Sequence, residues 1–219
     1  MKINYSILSK FFYFILYYAR FNIYKAFIEN IKFNKKTKVL DVGTTPLTHK
    51  HENFFIHEYP YQQMITCLSN QKLDSLKKIL PKIKFLRGDA RKIKIKNSKF
   101  DLVYSNATIE HVGKFENQIK FIKEALRVSK KFVFISTPNK YFPIELHTFL
   151  PLIHFLPQKY YRFILRKLGL NFFAEEENLN LLSTNNIKNI CKILRIKKYK
   201  IIKLKFLLFT SNLILIIKK

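Results

Sequence analysis

The stretch from Lys38 to Pro46, KVLDVGTTP, constrains the fold more than any other part of the chain. Val39, Leu40 and Val42 form a short apolar run around a single carboxylate, Asp41, and such a run reads as a buried strand. It breaks at Gly43 into Thr44, Thr45 and Pro46. A buried strand opening into a turn of glycine and hydroxyls is where an open α/β sheet holds a nucleotide-like ligand, in the crevice outside the carboxyl ends of its strands. Lacking a Cβ, Gly43 lets the backbone approach such a ligand closely. The later positions are not glycines, so the dinucleotide fingerprint G-x-G-x-x-G is absent. Alone, the stretch is equally readable as a strand and an ordinary turn.

The rest of the chain supplies the alternation such a sheet needs. Apolar runs at 64–68, 83–87, 99–105 and 131–137 read as further strands. A short helix over 73–80 is stopped by Pro81, and 44–61 reads as a loop. Ile119, Ile122, Ala125 and Leu126 give 115–128 the spacing of an amphipathic helix. Strands alternating with helices across 38–137 imply βαβ units and a parallel sheet. From 138 to 182 the rhythm changes: Pro143, Pro151 and Pro157 punctuate an aromatic region that reads as an insertion of short helices, placed where a lid or substrate pocket would sit. Ser183 or Thr184 caps a helix to about residue 194. Apolar runs at 199–209 and 213–217, joined by Thr210, Ser211 and Asn212, read as a closing hairpin. The expected architecture is therefore an α/β, Rossmann-like, mostly parallel sheet with an antiparallel C-terminal hairpin strand and helices on both faces. The expected organisation is an N-terminal aromatic helix in 1–36 and a single domain in 37–219, with the insertion at about 138–182.

Length and composition narrow the classes. A chain of 219 residues with 48% hydrophobic residues can bury a sizeable core. Its 41 Lys+Arg against 14 Asp+Glu give a net charge of +27, a balance that draws proteins to nucleic acid or anionic membranes. The lysines are scattered, however, and the chain is rich in Lys, Asn, Ile and Phe with only 4 Gly and 0 Trp. That profile matches an A+T-rich coding bias, and the clustering expected of a nucleic-acid footprint is missing. Cys67 and Cys191 form no C-x-x-C pair and read as small buried hydrophobes, consistent with a reducing cytoplasm. Residues 11–19 are continuously apolar but far short of the roughly 20 needed to span a bilayer. Lys2 and Lys10 precede them as in a signal peptide, without its small-residue cleavage pattern. A helix over 7–30 that packs on the domain is expected, with a position on the inner membrane surface as the alternative.

Polar residues fall at successive strand ends: Asp41 and Gly43, Ser69 and Asn70, Asp89, and Asn106. Four strands ending this way line one edge of a parallel sheet with a binding crevice. With these residues placed, VLDVGTTP, FLRGDA, FDLVYSNATIEHVG and EALRVSKKFVFISTPN together resemble the class I S-adenosylmethionine-dependent methyltransferases of the type 11 family, over roughly 38–139. The segment around Phe142–Pro157 is similar to an insertion of some bacterial members.

The resemblance implies a seven-stranded sheet with a reversed terminal strand, and S-adenosyl-L-methionine as cofactor. It implies that Asp41, Gly43, Thr44 and Thr45 lie against the cofactor's amino-acid and sulphonium part. Asp89 would accept from the adenine amino group beside the Ala90 N–H, and Asn106 and Ala107 would border the methyl group. Ser69 and Asn70 stand where the family carries a ribose-binding carboxylate, so they offer hydrogen bonds without charge assistance.

Methyl transfer from a sulphonium is an in-line displacement that needs alignment, and a base only if the acceptor must lose a proton. His111, Glu145 and His147 are the candidates. No metal is expected. His49, His51 and His57 with Glu52 and Glu58 lack helical ligand spacing, and Glu110-His111 has no evident third ligand. The expected acceptor is a small molecule, or a lipid- or sugar-linked one. The competing reading is a non-catalytic, basic membrane- or nucleic-acid-binding module on a degenerate methyltransferase fold.

Overall fold

The computed structural model describes residues 5–219 except residue 51, with side chains from residue 13 onward. Met1 to Asn4, including Lys2 of the signal-peptide comparison, and His51 of the histidine cluster lie outside the described residues. So does the side chain of Lys10.

Seven strands form one sheet in the order β3-β2-β1-β4-β5-β7-β6. The inner strands β1 (Val39–Val42), β2 (Ile65–Ser69) and β4 (Phe100–Asn106) are almost wholly buried. That is why they read as continuous apolar runs instead of alternating ones. β3 (Lys84–Arg87) and β5 (Ser129–Pro138) complete the parallel set. β7 (Phe209–Lys218) runs antiparallel between β5 and β6 (Tyr199–Phe206). The chain winds from β1 outward to β3, then returns to β4, so the order reverses between β1 and β4. Both pair with each other in register Val39↔Leu102 to Asp41↔Tyr104. The carboxyl ends of these two strands flank the crevice where such sheets bind ligands.

Helices cover both faces. On one, α1 (Tyr5–Asn30), α2 (Phe54–Glu58) and α3 (Asp74–Ile79) contribute Ile23, Phe27, Phe55, Ile56 and Leu76 to a core shared with Tyr104 and Phe134. Phe27 is fully buried, with edge-on contacts to Phe55, Tyr104 and Phe134. On the other, α4 (Phe115–Val128) and α7 (Thr184–Ile193) bring in Phe121, Ile122, Ile187 and Ile190. The Ser183 cap of α7 is completed as a capping box with Asn186. Among the described residues no helix is long and apolar enough to cross a membrane.

Two local expectations are corrected. The 44–61 loop contains α2, whose Phe54, Phe55 and Ile56 are all buried; a single turn with three successive buried residues shows no amphipathic period. The hairpin turn lies at Leu207 and Leu208, between Phe206 and Phe209, instead of at Thr210–Asn212. Ser211 and Asn212 are buried within β7, where the Ser211 carbonyl accepts from the Asn139 N–H and the Ser211 hydroxyl donates to the Leu204 carbonyl. The polar residues are spent inside the sheet, and the tip is apolar and exposed.

The 138–182 segment holds a 3₁₀ turn (Ile153–Phe155), α5 (Gln158–Lys167) and α6 (Asn171–Ala174). It returns to the sheet through a bridge between Asn139 and Leu182.

Candidate functional site

At the end of β1 the backbone turns at Gly43, with φ +95. Any Cβ there would collide with the Thr108 side chain. The glycine is thus required by the neighbouring β4 loop, whose Thr108 hydroxyl donates to the Val42 and Asn106 carbonyls. The expected hydroxyl donors in the turn are committed internally. Thr44 Oγ1 donates to Asp41 Oδ2 at 2.7 Å, and Thr45 is held by Asn53, which accepts from the Thr45 N–H and donates to the Thr45 and Leu47 carbonyls. The loop is stiff because Asn53, not glycine, fixes its path.

Asp41 is buried beneath this turn. Burial pushes its carboxyl up to about 6, against the opposing hydrogen bonds from Thr44 and Cys67. Its face of the sheet carries a residue that sequence reasoning passed over. Arg20 of α1 is mostly buried, and burial lowers its pKa. Its Nη2 donates to Glu52 at 3.0 Å, while its Nη1 is buried with no hydrogen-bond partner among the described residues. Asp41 and Arg20 both act on the buried Tyr104 phenol, which burial pushes far up. The first strand thus carries one buried carboxylate, and α1, on the same side as Tyr104, carries one buried guanidinium. In the sequence, Arg20 had only the look of a cation flanking an aromatic helix.

The other strand ends are more open. Ser69 is buried, its hydroxyl accepting from the Gln71 N–H, and Asn70 is exposed. Asp89 is partly exposed and grips Arg91 through both oxygens, which holds its carboxyl below the usual range. Ala90 follows it at the same edge. Asn106 accepts from the Ser136 hydroxyl at 2.6 Å. Ala107 turns the chain at φ +48, with its N–H on the Ser136 carbonyl.

Immediately beyond, a 3₁₀ turn (Ile109–His111) carries Glu110 and His111 against the insertion. The return segment fixes it: the Asn180 N–H donates to the Glu110 carbonyl, and the Asn178 carbonyl lies 2.6 Å from His111 Nδ1. His111 Nε2 faces His147 Nε2 at 3.0 Å. His147 Nδ1 in turn lies 2.6 Å from Glu145 Oε1. Glu145 is buried and fully occupied, accepting also from the His147 and Thr148 N–H groups. Burial works to raise the Glu145 carboxyl, but His147 outweighs it and the pKa falls. Burial likewise opposes the charged form of His147, and Glu145 outweighs it, so that pKa rises. Glu110 is fully buried; Oε2 accepts from Thr137, and Oε1 has no partner and lies 3.8 Å from His147 Nε2.

The three residues expected to do acid–base work, His111, Glu145 and His147, are thus brought together, and Glu110 joins them. His147 supplies the third ligand type that the sequence did not show beside Glu110 and His111. His49 and His57 enter no such group among the described residues. His154 is buried apart from the cluster, its Nε2 on the Phe142 carbonyl.

Comparison with known proteins bears on the fold. The family model described as a methyltransferase domain, of type 11, matches residues 42–135. Among solved structures, a Thermotoga maritima protein described as an S-adenosylmethionine-dependent methyltransferase and possible histamine N-methyltransferase shares 14% identity and a TM-score of 0.58, covering 97% of this chain and 96% of its own. A Methanosarcina mazei protein described as an S-adenosylmethionine-dependent methyltransferase shares 14% identity, with a TM-score of 0.54 over 85% and 94%. A Rhodobacter sphaeroides protein described among zinc-dependent alcohol dehydrogenases shares 13% identity, with a TM-score of 0.63 over 89% and 88%. Identities this low establish a common fold and carry no chemistry from one chain to another. No curated protein matches in sequence.

Proposed function

We propose that this chain, which carries a type 11 methyltransferase domain on a class I fold, transfers a methyl group from S-adenosyl-L-methionine to a small-molecule, lipid- or sugar-linked acceptor. The observation that carries the reading is the β1 end at the strand-order reversal. Buried Asp41 offers a negative partner for the cofactor's ammonium or sulphonium, and Arg20 Nη1, an unpaired buried donor, suits its carboxylate. Ser69 and Asn70 serve the ribose, Asp89 and Ala90 the adenine edge, and Asn106 and Ala107 the methyl group. Gly43, Thr44 and Thr45 shape the wall between them.

The protein's contribution to the reaction is alignment of donor and acceptor for in-line displacement. As the bond forms, the donor's positive charge is lost. An acceptor hydroxyl or amine also gives up a proton, and the His111–His147–Glu145 relay, next to the methyl end of the crevice, is placed to take it. The test is transfer of labelled methyl groups from S-adenosyl-L-methionine into small-molecule and lipid fractions of a cell extract. Activity present in the full chain and absent in Asp41→Ala supports the reading; no labelled product in any fraction opposes it.

A second reading, contact with an anionic membrane, is favoured by one surface. Exposed Tyr17, Tyr18 and Phe21 of α1 adjoin the hairpin through a Tyr18–Phe206 ring contact at 5.6 Å, and the tip residues Leu207 and Leu208 are 81% and 89% exposed. Aromatic and apolar groups on a chain of net charge +27 suit an interfacial position. Co-sedimentation with anionic vesicles, lost in a Leu207→Asp/Leu208→Asp variant, would support it; equal binding by the variant would not.

A further inference from the structure

We propose that Glu110, His111 and His147 form a binding site for a divalent transition-metal cation, with Glu110 Oε1 and the two histidine Nε2 atoms as ligands. The three ligand atoms all lie within 4.8 Å of one another. The outer partners of each ring decide which nitrogen faces inward. The Asn178 carbonyl can only accept, so His111 carries its proton on Nδ1. Glu145, its oxygens filled by N–H donors, is an ionised acceptor, so His147 also carries a proton on Nδ1. So oriented, the two rings turn their Nε2 atoms toward each other across 3.0 Å. The third group aimed at them, Glu110 Oε1, is fully buried and has no hydrogen-bond partner among the described residues. These three atoms converge, and Glu110 Oε1 receives no hydrogen bond from any described residue.

Two occupants could relieve this. A proton shared between the two Nε2 atoms would satisfy the rings but leave Glu110 Oε1 orphaned, a costly state for a buried polar atom. A cation satisfies all three. Ligands at about 2.0–2.1 Å from a tetrahedral or octahedral metal sit about 2.9–3.4 Å apart; the two histidine atoms already stand 3.0 Å apart, and Glu110 Oε1, 3.8 Å from His147 Nε2, would close in on binding. The outer contacts are also those of a metal centre. Each ring is oriented through Nδ1, one by a carboxylate and one by a backbone carbonyl, and the far oxygen of Glu110 is held by Thr137.

Two imidazoles and one carboxylate favour zinc, cobalt, nickel or ferrous iron over calcium or magnesium. Three protein ligands leave at least one position open, to which an acceptor oxygen or nitrogen could bind and be acidified. A cation on both Nε2 atoms would replace the histidine relay, because neither ring could then take a proton; that use rests on the methyl-transfer reading, and the metal site does not. The elements that build it come from four places in the chain: the turn after β4, the end of β5, the 145–148 segment and the 178–180 return. The turn after β4 also borders the crevice, where its Thr108 packs on Gly43.

The test uses the full chain, stripped with a chelator, dialysed and titrated with Co²⁺ near neutral pH. The expected result is one equivalent bound, with visible ligand-field absorption that Zn²⁺ abolishes. Glu110→Gln and His147→Ala should each weaken Co²⁺ binding by at least 10-fold. Glu145→Gln, which alters only the orienting partner, should weaken it by about 10- to 100-fold. Circular dichroism and thermal melting show whether each variant is folded. The wild-type titration stands without them: no saturable Co²⁺ binding by the folded protein overturns the site, as does unchanged affinity in a folded His147→Ala variant. S-adenosylhomocysteine binding is measured separately on the same samples. Co²⁺ binding without it keeps the metal site and removes the methyl-transfer reading; the reverse removes only the metal site.

Discussion

Thr44 Oγ1 donates to Asp41 Oδ2 across 2.7 Å, sealing a buried carboxyl under the turn that ends the first strand. Burial raises that carboxyl to about 6 from an ordinary value of 3.8. The folded chain therefore holds this proton more tightly than the unfolded chain does. Its contribution is favourable at low pH and is lost as pH rises from about 4 to about 6. The charged group then costs on the order of 3 kcal/mol. Asp41→Asn cannot ionise, so its stability relative to the native chain should rise across that window. Denaturant unfolding at a series of pH values checks this; parallel pH profiles would contradict it.

Arg20 Nη1 is a buried donor with no hydrogen-bond partner among the described residues. Arg20→Ala should weaken S-adenosylhomocysteine binding by about 10- to 100-fold, the loss of one charge-assisted hydrogen bond. It should leave the binding of 5′-methylthioadenosine, which lacks the amino-acid part, nearly unchanged. Equal losses for both ligands would show Arg20 to be a structural residue of α1.

Gly43 faces Thr108 in a backbone conformation that side chains rarely adopt. Gly43→Ala should destabilise the fold by about 1–3 kcal/mol and reduce cofactor affinity. Adding Thr108→Gly should recover part of the stability, because the collision is removed while the φ strain stays. No recovery in the double variant, measured by thermal unfolding, would count against the collision.

Phe27 ties α1 to the sheet. Phe27→Ala should cost about 3–5 kcal/mol, the range for emptying a large aromatic site in a packed core, and unfolding should stay a single cooperative transition. A smaller loss, or early melting of α1 alone, would mean that the helix is an appendage to a core that stands without it.

Much of the sheet is legible in the residues because its central strands are buried on both faces and so appear as apolar runs. The alternation with α4, whose Phe121, Ile122 and Ala125 share one face, carries the topology. The hairpin tip is illegible for the opposite reason: an apolar pair, Leu207 and Leu208, makes the turn while polar Ser211 and Asn212 are buried opposite Pro138 and Asn139. The site divides in the same way. Asp41, Gly43 and Asn106 sit at strand ends that the sequence marks. The meeting of His111 with His147 depends on how the 138–182 segment folds back, with Asn178 and Asn180 pinning the turn after β4, and no local spacing encodes that. Arg20 is hidden because its partner Glu52 lies in a different element.

Calorimetric titration of the full chain with S-adenosylhomocysteine, alongside a nicotinamide dinucleotide, asks which cofactor the crevice at β1 holds. One-to-one binding of S-adenosylhomocysteine, weakened in Asp89→Ala, and no binding of the dinucleotide are expected. Binding of the dinucleotide alone, or an affinity for S-adenosylhomocysteine untouched by Asp89→Ala, would contradict the methyl-transfer reading.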